Sequence, residues 1–266
     1  MIQNREKKRE MLDRIITRKK EEVRQEKSIL PLERLKELSA SRQEMPLDFA
    51  GAIRGNRISL IAEVKKASPS RGILCLDFHP VELAVTYARE GAAAVSVLTD
   101  KENFGGNIEY LPEIKRAIDI PLLRKDFILD TYQVYESHAY NADALLLIAA
   151  ILEQEHLQDL LALSHSLGLQ CLVEVHNEVD VEKALRSGAE MIGVNNRDLK
   201  DFTIDINTTV KLRPLIPKEK IVVSESGIRN REDVVKLQKS SINAILVGET
   251  LVTSSNIPGK IRELLS

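Results

Sequence analysis

Eight short apolar runs, separated by amphipathic helical patterns, predict an α/β protein that folds as a closed (β/α)8 barrel. Each run is rich in Val, Ile and Leu and is apolar at consecutive positions, as expected for parallel strands covered on both faces. A chain of 266 residues has the length of one such barrel. The runs span residues 58–64, 92–98, 120–123, 144–148, 170–175, 191–194, 221–223 and 244–247.

Helix start and stop signals lie between these runs. Gly91, Asn141 and Gly188 stand where a left-handed residue would end a helix. Four segments that join a helix to a strand resemble one another and recur about every two strand–helix units, which implies eight units: REGAAAVSVL, AYNADALLLI, RSGAEMIGVN and KSSINAILVG. Alternating strands and helices allow an open doubly wound sheet or a closed barrel, and eight units without a second domain favour the barrel. Three helices begin with an N-cap residue and a polar partner three positions later: Asp130 and Gln133, Asn177 and Asp180, Asn230 and Asp233.

Two extra helices are predicted ahead of the barrel, over residues 4–27 and 32–39. Leu12, Ile16 and Val23 fall on one face of the first helix. We expect a single domain over residues 1–266, with an N-terminal helical extension at 1–50 and the barrel at 51–266. Residues 1–27 carry ten Lys and Arg against six Asp and Glu. This allows an arm that binds a partner, but the interspersed acids favour an ordinary solvated helix.

Composition argues against several classes of partner. The net charge of -2 gives no reason to expect nucleic acid, and the longest apolar run, residues 144–152, is too short to span a membrane. The five histidines and two cysteines show no metal-ligand spacing, and no GxGxxG or Walker motif occurs, so we expect neither metal nor cofactor. The N-terminus lacks the apolar segment of a secretory signal, and the two cysteines form no disulfide framework, so we expect a reduced, cytoplasmic protein. We also expect a monomer.

Polar residues follow the predicted strands at the end where barrels of this class have their active sites. Charged residues often flank strands simply because loops contact water, but Glu63 and Glu174 lie in apolar surroundings where an unpaired charge is costly. Carboxylates and amines in one pocket are what acid–base catalysis on an anionic substrate requires. The residues that follow strands 1, 3, 5, 6, 7 and 8 are Glu63, Lys65, Lys125, Glu174, Asn195, Arg197, Glu225, Ser226, Gly227 and Gly248.

The last two strands carry a second signal. Ser226, Gly227 and Gly248 place backbone N–H groups and glycines where such barrels usually bind phosphate. The alternative is that these glycines serve only a tight turn. The motifs IAEVKKASPSRG, LLRKDFI, LLLIAAIL, LVEVH, IGVNNRDL, VSESGI and LVGE, in this order, resemble the indole-3-glycerol phosphate synthase family of tryptophan biosynthesis over essentially the whole chain.

The resemblance implies a cofactor-free lyase that acts on a small anionic sugar phosphate. Its substrate, 1-(2-carboxyphenylamino)-1-deoxyribulose 5-phosphate, undergoes ring closure, decarboxylation and dehydration. By resemblance, Lys125 is the general acid of ring closure, Glu174 is the general base and Glu63 orients the lysines. Lys65 contacts the substrate carboxylate and acts in dehydration. Asn195, Glu225 and Ser68 match substrate-binding residues, Pro69, Phe104, Phe127 and Leu146 match the slot for the anthranilate ring, and Arg197, Ser226, Gly227, Gly248 and Glu249 match the phosphate site.

Some features leave alternatives open. Asn107 replaces the usual Ser of the family, so we expect altered loop detail with activity retained. We expect Glu249 to help through its amide while its side chain points away, and His176 to serve a loop or a cap. Residues 66–79 form a closing lid or an ordered connection. The rivals are phosphoribosylanthranilate isomerase, which needs a cysteine at the end of strand 1, and a silent scaffold that binds RNA.

Overall fold

A computed structural model describes residues 2–55, 57–69, 71–198 and 202–266, with the backbone alone for residues 2–11. Eight parallel strands close into a TIM barrel with helices between them, which confirms the predicted fold and the extra N-terminal helices. Strand β1 pairs with both β2 and β8, and this double pairing closes the ring. The barrel strands are β1 (Ser59–Val64), β2 (Ala94–Leu98), β3 (Leu122–Lys125), β4 (Ala144–Ile148), β5 (Gln170–Val175), β6 (Met191–Asn195), β7 (Ile221–Glu225) and β8 (Ala244–Val247).

The helices begin largely where the cap signals predicted. The side chains of Asp130, Asn177 and Asn230 each accept a backbone N–H of the following helix. Over the described residues, no helix combines the length and the apolar character that a membrane span needs. The helices are α1 (Ile2–Ile29), α2 (Leu32–Ala40), α3 (Phe49–Ile53), α4 (Pro80–Arg89), α5 (Lys101–Phe104), α6 (Tyr110–Lys115), α7 (Thr131–Ala139), α8 (Gln154–Ser166), α9 (Glu178–Arg186), α10 (Asn207–Leu212), α11 (Arg231–Gln238), α12 (Glu249–Val252) and α13 (Ile257–Leu265), with 3-10 turns at Ala149–Ile151 and Arg213–Leu215.

Helix ends also follow the predicted chemistry. Gly91, Asn141 and Gly188 have φ of 97°, 62° and 83°, the left-handed conformation that ends a helix. Gln133 differs from its prediction, because its side chain accepts the N–H of Leu129 rather than that of the N-cap residue. The cap therefore includes one residue more of the preceding loop than a capping box would.

Two apolar layers separate the inside of the barrel from the outside. Alternate residues of each strand face the interior, so Ile61 packs inside while Leu60 and Ala62 pack against the helices. Helix α3 inserts Phe49 and Ile53 into the interior layer. It lies at the N-terminal end of the strands, because the Ala50 N–H, at its second residue, donates to Gln170 at the start of β5. The opposite end of the barrel remains open for a site.

Helix α1 covers part of the open end of the barrel. Its buried ridge consists of Ile15, Lys19 and Val23, whereas Ile16, predicted to lie on the buried face, is only partly buried. Lys19 is 3% exposed and forms ion pairs with Asp100 at 3.0 Å and with Asp126 at 2.9 Å. Because Lys19 pairs with these carboxylates, the buried face of the helix includes Lys19, which an apolar pattern alone could not predict.

Candidate active site

One cavity of about 600 Å³ lies at the C-terminal ends of the strands. The alternation of side chains across each strand directs the last inward residues into this cavity, above the apolar interior layer. The structure thus brings together all residues for which the sequence predicted a role in the site. They are Glu63, Lys65, Ser68, Pro69, Phe104, Lys125, Phe127, Leu146, Glu174, Asn195, Arg197, Glu225, Ser226, Gly227, Gly248 and Glu249.

Lys125 occupies the centre of the polar end of the cavity. Its ammonium lies 3.2 Å from Glu174 Oε2 and 3.2 Å from Glu225 Oε2, and all three side chains are largely buried. Burial by itself lowers the pKa of Lys125, but the carboxylates of Glu225 and Glu174, with Glu63, outweigh it and raise this pKa above the ordinary range. Lys125 is therefore a cation at neutral pH.

The pKa values of the two carboxylates that contact Lys125 are shifted in opposite directions. Burial raises the pKa of Glu174, but Lys125 and then His176 lower it more, so this pKa lies below its usual range. Burial and the neighbouring Glu174 raise the pKa of Glu225, against the opposing effect of Lys125, to about 7. The Lys125 ammonium thus contacts two carboxyl groups, and Glu174 is the one that stays ionised.

A second ion pair stands beside the first. Lys65 Nζ lies 2.6 Å from Glu63 Oε1, and the side chain of Glu63 is 4% exposed. Lys65 also lies 5.7 Å from the centre of the Phe104 ring, within the range of a cation–π contact. The lysine therefore links the charged end of the cavity to its aromatic side.

Two glycines make room for the buried carboxylates. A Cβ atom added to Gly193 would lie 2.2 Å from Glu225 Oε1, and one added to Gly248 would lie 2.2 Å from Glu63 Oε1. Gly248 was predicted to serve phosphate binding, and the structure gives it this additional role. Gly193 was not singled out from the sequence, although a glycine inside an apolar strand is a known signal of close approach.

His176 contacts the site more directly than the sequence suggested. Its backbone N–H donates to Asp180 in the first turn of α9, a contact of the loop or cap kind that was expected. Its ring Nε2 also lies 3.2 Å from Glu174 Oε1, on the side of that carboxylate remote from Lys125. Burial lowers the pKa of His176, but the contacts with Asp180 and Glu174 outweigh it and raise this pKa to about 9. His176 thus adds a second positive charge beside Glu174.

The apolar side of the cavity is built around two rings. Phe104 and Phe127 lie with their ring centroids 6.5 Å apart, and Leu146 and Pro69 complete this wall. The structure thus brings together the four residues predicted to form the aromatic slot, while their role as that slot stays a prediction. In the loop after Phe104, Asn107 Oδ1 accepts the N–H of Glu109, which is a local turn contact.

The far end of the cavity is the predicted phosphate site. Ser226 and Gly227 have φ of 66° and 82°, so the chain turns sharply after β7. The Asn196 side chain donates to the Ser226 carbonyl and fixes this turn, while Asn195 Oδ1 accepts the N–H of Arg197. The Glu249 side chain, expected to point away, instead pairs with arginines of this site.

Several lining residues were missed by the sequence reasoning. Leu12 and Ile15 reach the cavity from α1, and Asp100 and Asp126 lie beside them. Asp126 directly follows Lys125, so its place in the RKDF motif was an available signal. Cys171 packs in the outer layer and Cys75 lies in the loop after β1, so neither cysteine is at the end of β1 as the isomerase alternative requires. Among the described residues, no group of His, Cys, Asp and Glu could hold a metal ion.

The barrel and its cavity define a class: a (β/α)8-barrel protein with a buried lysine between two glutamates at the C-terminal ends of its strands. The family model described as "Indole-3-glycerol phosphate synthase" matches residues 12–264. The chain therefore belongs to the indole-3-glycerol phosphate synthase family, whose members are carboxy-lyases of tryptophan biosynthesis. The resemblance drawn from the motifs is confirmed.

Individual relatives agree with this assignment. A protein of Dehalococcoides mccartyi named indole-3-glycerol phosphate synthase is 52% identical over 96% of this chain and 100% of its own length. One of the same name from Roseiflexus sp. is 50% identical over 96% of this chain and 97% of its own. Among solved structures, a 3-hexulose-6-phosphate synthase matches with a TM-score of 0.64 at 11% identity, over 78% of this chain and 98% of that chain. This last likeness concerns the fold alone.

Proposed function

We propose that this cavity converts 1-(2-carboxyphenylamino)-1-deoxyribulose 5-phosphate into indole-3-glycerol phosphate, CO2 and water. The observation that carries the proposal is the Lys125 ammonium between two buried carboxylates, in one cavity with two aromatic rings. An acid–base centre facing an aromatic slot fits a reaction at an aryl ring. The family assignment supports the same chemistry.

Lys125 is the general acid of ring closure in this proposal. The ring carbon that bears the carboxylate attacks the ketose carbonyl carbon, and the carbonyl oxygen takes the proton of Lys125 to become a hydroxyl. The raised pKa of Lys125 keeps its proton in place before this step. Because Lys125 lies between two carboxylates, its ammonium is held in a fixed position for transfer.

Lys65 holds the aryl carboxylate until decarboxylation. Its ammonium lies over the Phe104 ring and pairs with Glu63, so a carboxylate on an aromatic ring in this slot would meet it directly. When the C–C bond to the carboxylate breaks, CO2 leaves and the bonding electrons restore the aromatic ring.

Dehydration completes the reaction. The C–O bond to the new hydroxyl breaks with protonation by Lys65, water leaves, and Glu174 removes a proton from the adjacent carbon. The low pKa of Glu174 keeps it in the basic form that this role requires. Asn195 and Glu225 bind the substrate hydroxyls in this proposal, together with Ser68. Arg197, Ser226, Gly227, Gly248 and the Glu249 amide bind the phosphate.

The test is direct. Purified protein incubated with the carboxyphenylamino substrate, without metal or nucleotide, should give a rise in indole fluorescence. Lys125→Met should abolish this rise while the far-UV circular dichroism spectrum stays native. A Lys125→Met variant with full activity would contradict the assigned acid. No rise from folded wild-type protein would refute the activity itself.

We further propose that residues 1–50 and 51–266 form one domain and that the chain acts as a cytoplasmic monomer without nucleic acid. The ion pairs of Lys19 with Asp100 and Asp126, and of Arg42 with Asp143, support one cooperative unit. Analytical ultracentrifugation should give a mass near 30 kDa, and a stable dimer would contradict the proposal.

A further inference from the structure

Two arginines from different segments converge on the carboxylate of Glu249. Arg71 Nη1 donates to Glu249 Oε1 at 2.5 Å, and Arg197 Nη2 lies 3.8 Å from Glu249 Oε2. The side chain of Glu249 is 31% exposed, and that of Arg71 is 59% exposed. A carboxylate therefore lies between two guanidinium groups at the mouth of the cavity, on a side chain that retains access to solvent.

The carboxylate lies at the end of the cavity where we propose that phosphate binds. Glu249 directly follows Gly248, and Ser226 and Gly227 line the same end of the cavity. A guanidinium group presents paired N–H donors that match carboxylate and phosphate oxygens equally well. Arg71 and Arg197 thus form a recognition pair for an anion, and the carboxylate of Glu249 contacts both of them.

We propose that Arg71 binds the substrate phosphate and that the Glu249 side chain competes with this phosphate for Arg71 and Arg197. The inference builds on the phosphate site of the proposed function. A phosphate group carries more negative charge than a carboxylate, so it competes favourably for the two arginines. Like charges then repel Glu249, whose partly exposed side chain can turn to solvent.

The position of Arg71 in the chain gives this contact a second effect. Arg71 lies in the turn of a small hairpin, in which Ala67–Ser68 pairs with Gly72–Ile73 in antiparallel register. The same hairpin region carries Ser68 and Pro69, which line the cavity near the aromatic slot. An Arg71–phosphate contact therefore ties the hairpin over the substrate, and the phosphate helps to position the residues around the ring.

Binding of inorganic phosphate tests the proposal without any turnover. Isothermal titration calorimetry at low ionic strength would compare the wild-type chain with Arg71→Gln and Glu249→Gln. Arg71→Gln should weaken phosphate binding about tenfold, since it removes a charge-assisted contact. Glu249→Gln should strengthen binding several-fold, because phosphate no longer displaces an ionised carboxylate.

A matched control removes the same charge elsewhere. Arg186 is 68% exposed and lies 3.9 Å from Glu182 on the surface of α9, so Arg186→Gln should leave phosphate affinity within twofold of wild type. In turnover assays, Arg71→Gln should raise KM for the substrate and retain kcat. This split separates a phosphate ligand from a residue that merely supports the fold.

Several outcomes would overturn the proposal. Phosphate affinity unchanged in Arg71→Gln would leave Arg71 as a surface ion pair only. Weaker or unchanged phosphate affinity in Glu249→Gln would show that the Glu249 carboxylate does not compete with phosphate for the arginines. If the wild-type chain bound no phosphate, the proposed phosphate site would be wrong. The two proposals fail separately: phosphate binding with these variant effects but no lyase activity refutes the proposed function alone, whereas lyase activity with an unchanged KM in Arg71→Gln refutes this inference alone.

Discussion

Replacing Lys19 by methionine should destabilise the protein although Lys19 lies outside the barrel sheet. The ammonium of Lys19 is 3% exposed and lies within 3.0 Å of Asp100, Asp126 and Glu22. Methionine fills similar volume but leaves two buried carboxylates without this cation. Removing one partner of a buried ion pair costs ~3–5 kcal/mol. Asp126 keeps Arg124 as a partner, so we expect a loss near ~3 kcal/mol, the lower end of that range.

Thermal unfolding followed by circular dichroism measures this loss. For a chain of this size, ~1 kcal/mol corresponds to about 2–4 °C in Tm, so Lys19→Met should unfold roughly 6–12 °C below wild type. Lys20→Met is the matched control, because Lys20 is the exposed neighbour on the same helix. Equal unfolding temperatures for the two variants would refute a stabilising role for the buried ion pairs of Lys19.

Two further predictions concern the site, and a third concerns the stability of the fold in acid. Arg197→Ala should raise KM at least about tenfold through lost phosphate contact, and an unchanged KM in steady-state assays would exclude that role. Gly193→Ala should lower kcat at least about tenfold by pushing the Glu225 carboxylate away from its partner lysine, while the control Gly55→Ala, which meets only ordinary contacts, keeps wild-type kcat. Burial raises the pKa of Asp126, but the cations beside it lower it more, to about 2. The ionised Asp126 therefore stabilises the fold fully above about pH 4, and this stabilisation is lost as the pH falls towards 2. Asp126→Asn should make Tm fall less steeply with pH below about 4. A Tm–pH curve as steep as that of the wild type would contradict this.

The barrel followed from local signals. Strand β4 and strand β5 were predicted with their observed bounds, because continuous Val, Ile and Leu runs reflect burial on both faces. The side chains of Glu63 and Lys125 could be placed at one mouth because topology puts all strand ends of a parallel barrel together. Motif resemblance then supplied chemical roles that spacing alone does not contain.

The features that the sequence did not predict depend on contacts between segments that lie far apart along the chain. The burial of Lys19 requires acids that lie more than eighty positions further along the chain, so no periodicity in α1 can indicate it. The Arg71–Glu249 pair joins the first loop of the barrel to its last, which likewise has no local signature. The space under Glu225 could have been suspected from Gly193, an isolated glycine in the apolar strand β6.

The ion pairs of Lys19 also affect the charge that an incoming substrate meets. Asp100 and Asp126 line the cavity, and the substrate of the proposed reaction carries both a carboxylate and a phosphate. Without the cation from α1, Asp100 would lose this partner and Asp126 would keep only Arg124, so more negative charge would face this anionic molecule across a poorly screened space. Helix α1 thus acts as a counterion built into the chain: it lowers the electrostatic barrier to substrate entry from outside the barrel, without touching the reacting atoms.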